Sequence, residues 1–357
     1  MSSYAGDCFI VLNPHSEENS VIYGRNCTRP EGEVQEVLYF PSSEDGESVK
    51  CDGGAQVDGA PSLAVILSKS ANVWGAESGA NEKNVSVGIS WTDSEPDEGS
   101  VKSTDLARLA LQRSSTASEA LDIITSLNEN YGNESSKFSF VICDPTEAWI
   151  LNLCGKLWAA EKISSGFRKL PSTGLAIRTQ IDKSIDDLGD KLKEKGLWDG
   201  SGDLDFAKSF SSEPSDAEWN QDEPPSDGGF SLTDMFEVLR STDNAGSSQV
   251  SILKASGISC HWFTATPNPK ESVFKPFAFA PDARISPLTK IPEGESTTLL
   301  HKLHDQRNWE NVGELLKSLE ARCVEEVKSF LAEHSTPNQE LDELMKDCVE
   351  AEVKFYR

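Results

Sequence analysis

Histidine is scarce in this sequence, and the motifs that would use it are missing. The 357 residues include five histidines, and neither H-E-x-x-H nor G-x-S-x-G occurs. Only His261, just before an apolar segment, is a candidate catalytic base, and a core or surface role fits its position at least as well. His301 and His304 lie three apart in a polar helical segment, and we expect both at the surface. This scarcity argues against a Ser-His-Asp or Cys-His hydrolase and against structural zinc.

Basic residues are few relative to acidic ones, and long apolar runs are lacking. The chain has 33 lysines and arginines against 59 acidic residues, for a formal charge of −26. A surface of this sign repels phosphate groups, so neither nucleic acid nor an acidic membrane surface is expected as a partner. No apolar run approaches the roughly 18 residues that span a bilayer, and no secretory signal pattern is visible at the N-terminus. We therefore expect a cytoplasmic protein without membrane insertion.

The eight cysteines follow no spacing typical of a metal site or of a disulfide framework. No C-x-x-C pair occurs, and the G-x-G-x-x-G and P-loop patterns are absent as well. We expect no metal and no cofactor, and we expect most of the cysteines to be small buried apolar residues.

Short apolar segments alternate with helical patterns along the chain. Segments rich in β-branched and aromatic residues predict strands at 8–13, 20–26, 33–40, 62–68, 84–91, 138–144, 147–153, 261–267 and 273–280. Helical spacing predicts helices at 103–113 and 116–132, around 233–241, and from about 297 to the end. Blocks of strands and helices with hairpin-like strand pairs favour an antiparallel α+β architecture. An acidic loop is predicted at about 211–229, and charged C-terminal helices at 291–357 are expected to pack on the same domain.

The segment SYAGDCFIVL places Cys8 at the mouth of the first predicted strand. If residues 1–7 were removed, Cys8 would gain an α-amine with an ordinary pKa near ~7.7–8.0. Such an amine can take the thiol proton, so an N-terminal nucleophile needs no histidine. From composition alone, a buried strand cysteine is the better interpretation.

Three other side chains are candidate site residues near Cys8. Arg25 and Asn26 end the second predicted strand, and a hairpin would bring them opposite the start of the first. Arginine there would lower the thiol pKa or hold a substrate carboxylate. Asn81, in the small-residue segment WGAESGANE, is a candidate oxyanion donor. A solvated strand end and an ordinary turn are the competing interpretations.

Several longer segments together resemble the secernin family. They include CFIVLNP, YGRNCTRPEGEVQEVLYF, WGAESGANEKNVSVGISW, DPTEAWILNLCGKLWAAEKI and HWFTATPNPKESVFKPFAFA. Secernins are related to bacterial dipeptidase A and are N-terminal-nucleophile hydrolases. The resemblance implies an αββα sandwich of two antiparallel sheets between helical layers, formed here by a hydrolase domain at 8–290. It also implies a leader at 1–7 that is removed by autoprocessing.

The resemblance also assigns roles to individual residues. It implies Cys8 as the nucleophile, with Arg25, Asn26 and Asn81 as its catalytic partners. Substrate contacts are expected from Thr173, Glu77 and Trp158.

Two positions depart from the dipeptidase pattern. Thr173 stands where the dipeptidases have an asparagine that helps to hold the reacting carbonyl, and Thr28 stands where they have an acidic residue. Activity is therefore expected to be weakened or altered.

The expected function is hydrolysis of dipeptides or short peptides. One alternative is a non-enzymatic regulator of exocytosis that meets proteins of the secretion machinery, and another is an amidase acting on non-peptide substrates. The sequence does not indicate an oligomeric state.

Overall fold

The structure is a computed structural model that describes residues 5–28, 32–92, 99–164, 166–170, 172–211, 229–242 and 245–356. Residues 1–4 of the predicted leader and 212–228 of the predicted acidic loop lie outside these ranges. No helix in the described ranges is long and apolar enough to cross a membrane.

Six strands form an antiparallel sheet that contains the N-terminal segment. In spatial order they are β12 (Phe167–Leu170), β1 (Ala5–Val11), β2 (Ser20–Thr28), β14 (Ala245–Lys254), β15 (Cys260–Phe263) and β16 (Lys275–Phe277). β1 and β2 pair as a hairpin in which Cys8 lies opposite Arg25, as predicted. β14 pairs with β2 along its whole length. The sequence patterns did not predict β14, because its buried positions include several serines.

Eight strands form the second antiparallel sheet, and a small two-stranded ribbon stands apart. In spatial order the eight are β13 (Lys183–Ser184), β11 (Leu157–Ile163), β10 (Ala148–Cys154), β9 (Lys137–Cys143), β8 (Ser86–Thr92), β7 (Ser78–Asn81), β6 (Val65–Ser70) and β3 (Gln35–Phe40). The ribbon consists of β4 (Val49–Lys50) and β5 (Gln56–Val57). β9 and β10 form the hairpin that the sequence predicts around residues 144–146.

Eight α-helices lie in the described ranges. They are α1 (Ser103–Arg113), α2 (Ala117–Tyr131), α3 (Leu188–Glu194), α4 (Phe206–Phe210), α5 (Leu232–Arg240), α6 (Leu299–Gln306), α7 (Trp309–Glu333) and α8 (Leu344–Phe355). The C-terminal region is thus helical as predicted, but it is interrupted at residues 307–308 and 334–343.

Apolar side chains sort into three layers that follow the alternation of the strands. The layer between the sheets contains Cys8, Ile10 and Leu12 from one sheet and Val141, Cys143 and Ile150 from the other. The layer outside the six-stranded sheet joins Phe9, Val11 and Ile22 to Phe236, Leu239, Val324 and Val327 of α5 and α7. The layer outside the eight-stranded sheet joins Val87, Ile89 and Leu151 to Leu106, Leu109, Leu121 and Ile124 of α1 and α2. The predicted αββα sandwich is confirmed.

His301 and His304 are buried, so the prediction of surface positions for them is wrong. His304 is 3% exposed, and burial together with the nearby Arg307 and Lys275 charges lowers its pKa to about 2. Nε2 of His301 lies 3.3 Å from the Asp305 carboxylate. Both histidines pack inward from α6, so the polar sequence around them concealed a buried helix face.

A buried ion pair fastens α8 to the six-stranded sheet. Lys275 Nζ of β16 lies 2.8 Å from the Glu352 carboxylate, and both side chains are 0% exposed. The Lys275 ammonium also donates to the Val273 carbonyl, and the Tyr356 hydroxyl donates to Glu352. Each charge therefore has its counter-ion inside the fold, and removing one would leave the other unpaired.

We expect Glu352→Leu to destabilise the fold strongly, because it leaves the Lys275 ammonium buried without its counter-ion. The cost expected for breaking such a pair is about 3–5 kcal/mol, seen as a lower urea midpoint. A Lys275→Met/Glu352→Leu double variant should recover much of this loss. Lys317→Ala, which removes an exposed pair with Glu314, is the control and should leave the midpoint unchanged. An unshifted midpoint in Glu352→Leu would show that the pair does not hold α8.

Candidate active site

Cys8 lies inside the six-stranded sheet and faces the second sheet. It is 1% exposed, with Leu170 of β12 on one side and Arg25 of β2 on the other. β1 continues back through Asp7 and Gly6, which pair with Asn26 and Cys27 of β2. In the uncleaved chain the predicted nucleophile is therefore in mid-strand, and the described part of the leader is built into the sheet.

Arg25 fills the space beside Cys8 between the two sheets. It is 1% exposed, and its Nε donates to the Ile89 carbonyl at 2.9 Å. A Cβ atom added at Gly6 would lie 2.8 Å from both Cζ and Nη2 of Arg25, and one at Gly88 would lie 3.0 Å from its Cδ. The Arg25 side chain is thus packed against glycine backbone on both sides, with its guanidinium at Gly6 and its Cδ at Gly88. Its Nη2 has no hydrogen-bond partner among the described residues.

Tyr23 is a third member of this group, and it was not predicted from the sequence. It lies two residues before Arg25 on β2, so both side chains point to the same face of the strand. Its hydroxyl is buried without a hydrogen bond of standard geometry in the described structure. A Cβ atom at Gly88 would overlap that hydroxyl, so glycine at position 88 makes the room for both Tyr23 and Arg25.

The environment keeps the Cys8 thiol protonated in the uncleaved chain. Burial raises its pKa to about 12, and the Asp7 carboxylate adds to this, while Arg25 and Tyr23 act in the opposite direction. The thiol lies 3.7 Å from the Gly6 carbonyl, to which it donates. Two of the groups that favour the neutral thiol, Asp7 and Gly6, thus belong to the predicted leader.

The pKa values of Arg25 and Tyr23 are both raised, but burial acts on them in opposite directions. Burial opposes the Arg25 charge, but the neighbouring Cys27, Cys8, Tyr23 and Glu77 together outweigh it and raise the pKa of the guanidinium. Burial raises the pKa of Tyr23, and Cys8 adds to the shift. The site therefore contains a permanent cation and a neutral hydroxyl donor next to the thiol.

Glu77, predicted to contact substrate, is placed within this group. It is 0% exposed, its Oε2 accepts from the Cys27 thiol at 2.7 Å, and its Oε1 accepts from the Ser70 amide at 3.1 Å. Because it also acts electrostatically on Arg25, its carboxylate balances the buried cation.

Asn26 does not face Cys8. Its side-chain amide donates to the Leu239 carbonyl at 2.7 Å, and its Oδ1 accepts from the Ser248 hydroxyl. These contacts lie on the outer side of the sheet, toward α5, because successive residues of a strand point to opposite faces. The structure thus places Asn26 on the outer face of the sheet, where its contacts anchor β2, and not beside Cys8.

The side chain of Asn81 also forms its hydrogen bonds away from Cys8. Its Nδ2 donates to the Leu111 and Ser114 carbonyls at 2.8 and 2.7 Å, at the end of α1. Its Oδ1 accepts from the Lys83 and Val85 amides, both at 3.0 Å. Both amide hydrogens are therefore used on the helical side of the sheet, and the predicted oxyanion role is not supported.

Trp158 likewise faces the helical layer. Its indole Nε1 donates to Glu129 of α2 at 2.6 Å, and its ring packs in the layer formed with α1 and α2. The neighbouring Leu157 and Ala159 are the residues of this strand that face Cys8's layer. The predicted contact of Trp158 with substrate is therefore not supported.

Thr173 lies exposed in a loop fastened beside the Asp7–Cys8 bond. The preceding Ser172 amide donates to the Asp7 carboxylate at 2.9 Å. Farther along the loop, the Ala176 and Ile177 amides both donate to Oδ1 of Asn152 at 2.9 Å. Asn152 was not predicted as a site residue, and its signal in the sequence is only a polar residue inside an apolar strand.

His261 lies away from Cys8. Its Nδ1 contacts the Ser251 hydroxyl at 2.9 Å, and burial lowers its pKa to about 3. β15 is separated from β1 by β2 and β14, which at the usual strand spacing is about 14 Å. A neutral histidine at that distance does not serve Cys8 as a base. Within the described ranges, no cluster of three or more histidine, cysteine or acidic side chains suits a metal ion.

The predicted resemblance is confirmed over part of the chain. The model of peptidase family C69, which includes secernin and dipeptidase A, matches residues 67–220. The matched segment contains Glu77, Asn81, Trp158 and Thr173 and begins after Cys8 and Arg25. The match supports a hydrolytic enzyme of the cysteine-peptidase kind.

Several solved structures are similar at low identity. Penicillin V acylase from Agrobacterium tumefaciens has a TM-score of 0.45 at 13% identity, covering 76% of this chain and 86% of that chain. A variant of conjugated bile acid hydrolase from Clostridium perfringens has a TM-score of 0.43 at 11% identity, covering 76% and 92%. The Caenorhabditis elegans ortholog of N-acylethanolamine-hydrolyzing acid amidase has a TM-score of 0.35 at 12% identity, covering 69% and 92%.

We expect the uncleaved chain, verified by intact mass to retain residues 1–7, and a shortened chain that begins at Cys8 to differ in alkylation of this thiol. With a pKa of about 12, fewer than about one thiol in 10⁴ is ionised at pH 7.5, so iodoacetamide should label the full chain slowly until the pH is strongly alkaline. Loss of Asp7 and of burial, with a new ammonium nearby, lowers the pKa. Labelling of the shortened chain should therefore be at least about tenfold faster.

Mass spectrometry of the Cys8 peptide measures both rates. Cys260 is the internal control, because burial raises its pKa to about 12 as well, and it lies on β15, which β2 and β14 separate from β1. Equal Cys8 rates in the two forms would contradict the role given to the leader.

Proposed function

We propose that this chain is a cysteine hydrolase of dipeptides or short peptides that works as an N-terminal nucleophile. One observation carries the proposal: Cys8 is buried beside Nη2 of Arg25 and the Tyr23 hydroxyl, two donors that interact with the thiol and have no other partner of hydrogen-bond geometry among the described residues. A buried unpaired donor costs about 1–3 kcal/mol, and such a cost is expected where the donors serve a reaction. The match to a peptidase family supports peptides as substrates.

Maturation starts at the peptide bond between Asp7 and Cys8. The Cys8 sulfur attacks the Asp7 carbonyl carbon, the bond from that carbon to the Cys8 nitrogen breaks, and the nitrogen takes the thiol proton. Water then hydrolyses the thioester, so that residues 1–7 leave with a carboxylate at Asp7. Departure of Gly6 uncovers the Arg25 guanidinium and opens the space that a substrate needs.

In the mature form the α-amine of Cys8 replaces the missing histidine. The free amine takes the thiol proton, the thiolate attacks the substrate carbonyl, and the ammonium returns the proton to the leaving amine. A thioester to Cys8 results, and the same amine then activates the water that hydrolyses it. The Arg25 charge next to the sulfur favours the thiolate.

Tyr23 takes the oxyanion role that the sequence suggested for Asn81. Its hydroxyl and Nη2 of Arg25 are donors fixed on a central strand beside the sulfur, where the tetrahedral intermediate develops its negative charge. Glu77 positions Arg25 through the buried charge balance. Thr173 borders the space that the leader vacates, and we assign it to substrate binding.

The alternative of a non-enzymatic regulator of exocytosis is separated from this proposal by an assay of the mature form on a dipeptide library. Hydrolysis supports the enzyme. Silence with Cys8 as the verified N-terminal residue would favour the regulator, and hydrolysis of non-peptide amides alone would favour an amidase. A cytoplasmic location is part of the proposal and rests on the sequence.

We expect the purified protein to begin at Cys8. Intact-mass measurement and N-terminal sequencing detect the loss of residues 1–7. Cys8→Ala should keep its leader and lose hydrolysis entirely, whereas Cys8→Ser should retain a small fraction, because a hydroxyl is a poorer nucleophile at neutral pH. An active sample whose sole N-terminal residue is Met1 or Ser2 would defeat the amine-as-base mechanism.

We expect Tyr23→Phe to lower kcat by roughly 10²-fold or more, the usual effect of removing one oxyanion donor, with little change in KM. The variant should be made directly as a chain starting at Cys8, since processing itself needs the same donor. Tyr39→Phe, on a strand of the other sheet, is the matched control and should retain wild-type kcat. A Tyr23→Phe enzyme with unchanged kcat, or one changed only in KM, would remove Tyr23 from this role.

A further inference from the structure

Two cysteines outside the candidate active site lie in contact with each other. Sγ of Cys323, in the middle of α7, is 3.4 Å from Sγ of Cys348, in α8. All eight cysteines are free in this structure. Cys348 is 4% exposed, whereas Cys323 is only partly buried. Cys323 is thus the more exposed residue of the pair, and Cys348 the more buried one.

The surroundings make the two thiols unequal. The hydrogen bond between them lowers the pKa of Cys323, against burial and the nearby Glu326 and Glu320 carboxylates, and it raises the pKa of Cys348, as does burial. The buried Lys275 ammonium favours the ionised form of both. Cys323, the more exposed of the two residues, is therefore placed as the attacking cysteine, and the buried Cys348 as the resolving one.

We propose that Cys323 and Cys348 are an oxidation site at which hydrogen peroxide closes a disulfide between α7 and α8. The site is separate from Cys8 and does not depend on the proposed hydrolase activity.

The chemistry proceeds in two balanced steps. The Cys323 thiolate attacks one peroxide oxygen, the O–O bond breaks, and hydroxide leaves and takes a proton to form water. The sulfenic acid that remains on Cys323 is then attacked by the Cys348 sulfur, the S–O bond breaks, and a second water leaves. Two thiols and one peroxide thus give one disulfide and two waters. The sulfur atoms must approach by about 1.4 Å to reach a bond length of roughly 2.05 Å, which side-chain rotation can supply.

The cross-link would join two elements that already meet on the same part of the sheet. Glu320, one turn before Cys323, accepts from the Phe274 amide at 2.7 Å, and Glu352, one turn after Cys348, pairs with Lys275. The new bond would close a loop of 25 residues. The two helices that it joins are already held by adjacent residues, α7 by Phe274 and α8 by Lys275. Because the folded geometry is already in place, the disulfide acts mainly on the unfolded chain.

The test treats the full-length protein with hydrogen peroxide and maps the peptides without reduction. We expect a peptide pair joined through Cys323 and Cys348, lighter by two hydrogens, to form at least about tenfold faster than oxidation of any other buried cysteine. Thermal unfolding of the oxidised protein should shift upward on the order of 5 °C and return on addition of dithiothreitol.

Single variants provide the controls. Cys323→Ser and Cys348→Ser should each abolish both the joined peptides and the reversible thermal shift, whereas Cys51→Ala, which removes a buried cysteine elsewhere, should retain them. Three results would overturn the proposal: Cys323 found only as sulfinic or sulfonic acid, a disulfide that forms between other cysteines such as Cys8 and Cys143, or no oxidation at either position.

Discussion

The Arg25 guanidinium, enclosed between the two sheets, is the charge to which the rest of the site is fitted. An unpaired cation at that depth would cost several kcal/mol. The chain meets this cost with the buried carboxylate of Glu77. Size sets a second condition, because the guanidinium requires bare backbone at Gly6, and the Tyr23 hydroxyl and Cδ of Arg25 require it at Gly88. Charge and size together therefore determine which residues can stand on the three strands β1, β2 and β8 and at Glu77, just before β7.

The same fit explains why the leader matters chemically as well as sterically. Gly6 covers the guanidinium and accepts from the Cys8 thiol, while Asp7 places a negative charge next to that thiol. Each contact favours a neutral, inaccessible sulfur. Cleavage before Cys8 would remove all of them in one event and would put an ammonium in their place. On the proposed mechanism, activation is thus a reversal of local electrostatics that requires no rearrangement of the sheets.

Local sequence patterns predicted the strands and helices of this fold better than they predicted which side chains point toward Cys8. The β1–β2 hairpin placed Cys8 opposite Arg25 because a short connection and simple alternation determine the register. The same alternation excludes Asn26 from the site, since adjacent strand residues cannot share a face.

The predicted oxyanion role of Asn81 lacks support for another reason. Its side-chain amide donates to two carbonyls at the end of α1, and that contact depends on packing between the sheet and the helical layer. The sequence did not predict β14, because serines break its apolar pattern. These serines are buried and form hydrogen bonds with residues of other strands, such as Asn26 and His261. Tyr23 has the sequence context of an ordinary core aromatic, and its hydroxyl is distinguished only by its interaction with Cys8 and by the lack of another partner among the described residues.

A rigid strand is a favourable place for the donors of an oxyanion site. Donors are effective when they are already aimed at the developing charge and need no reorganisation during the reaction. Tyr23 and Arg25 sit on β2, a strand hydrogen-bonded on both sides by β1 and β14, and Gly88 holds both side chains from the opposite sheet. Asparagine from a loop, the pattern expected at position 173, would have to be ordered by contacts of its own. With threonine there and Asn81 engaged elsewhere, the strand donors are the ones that the described residues leave available. The departure from the dipeptidase pattern at Thr173 is therefore compatible with catalysis, provided that the oxyanion is held from β2.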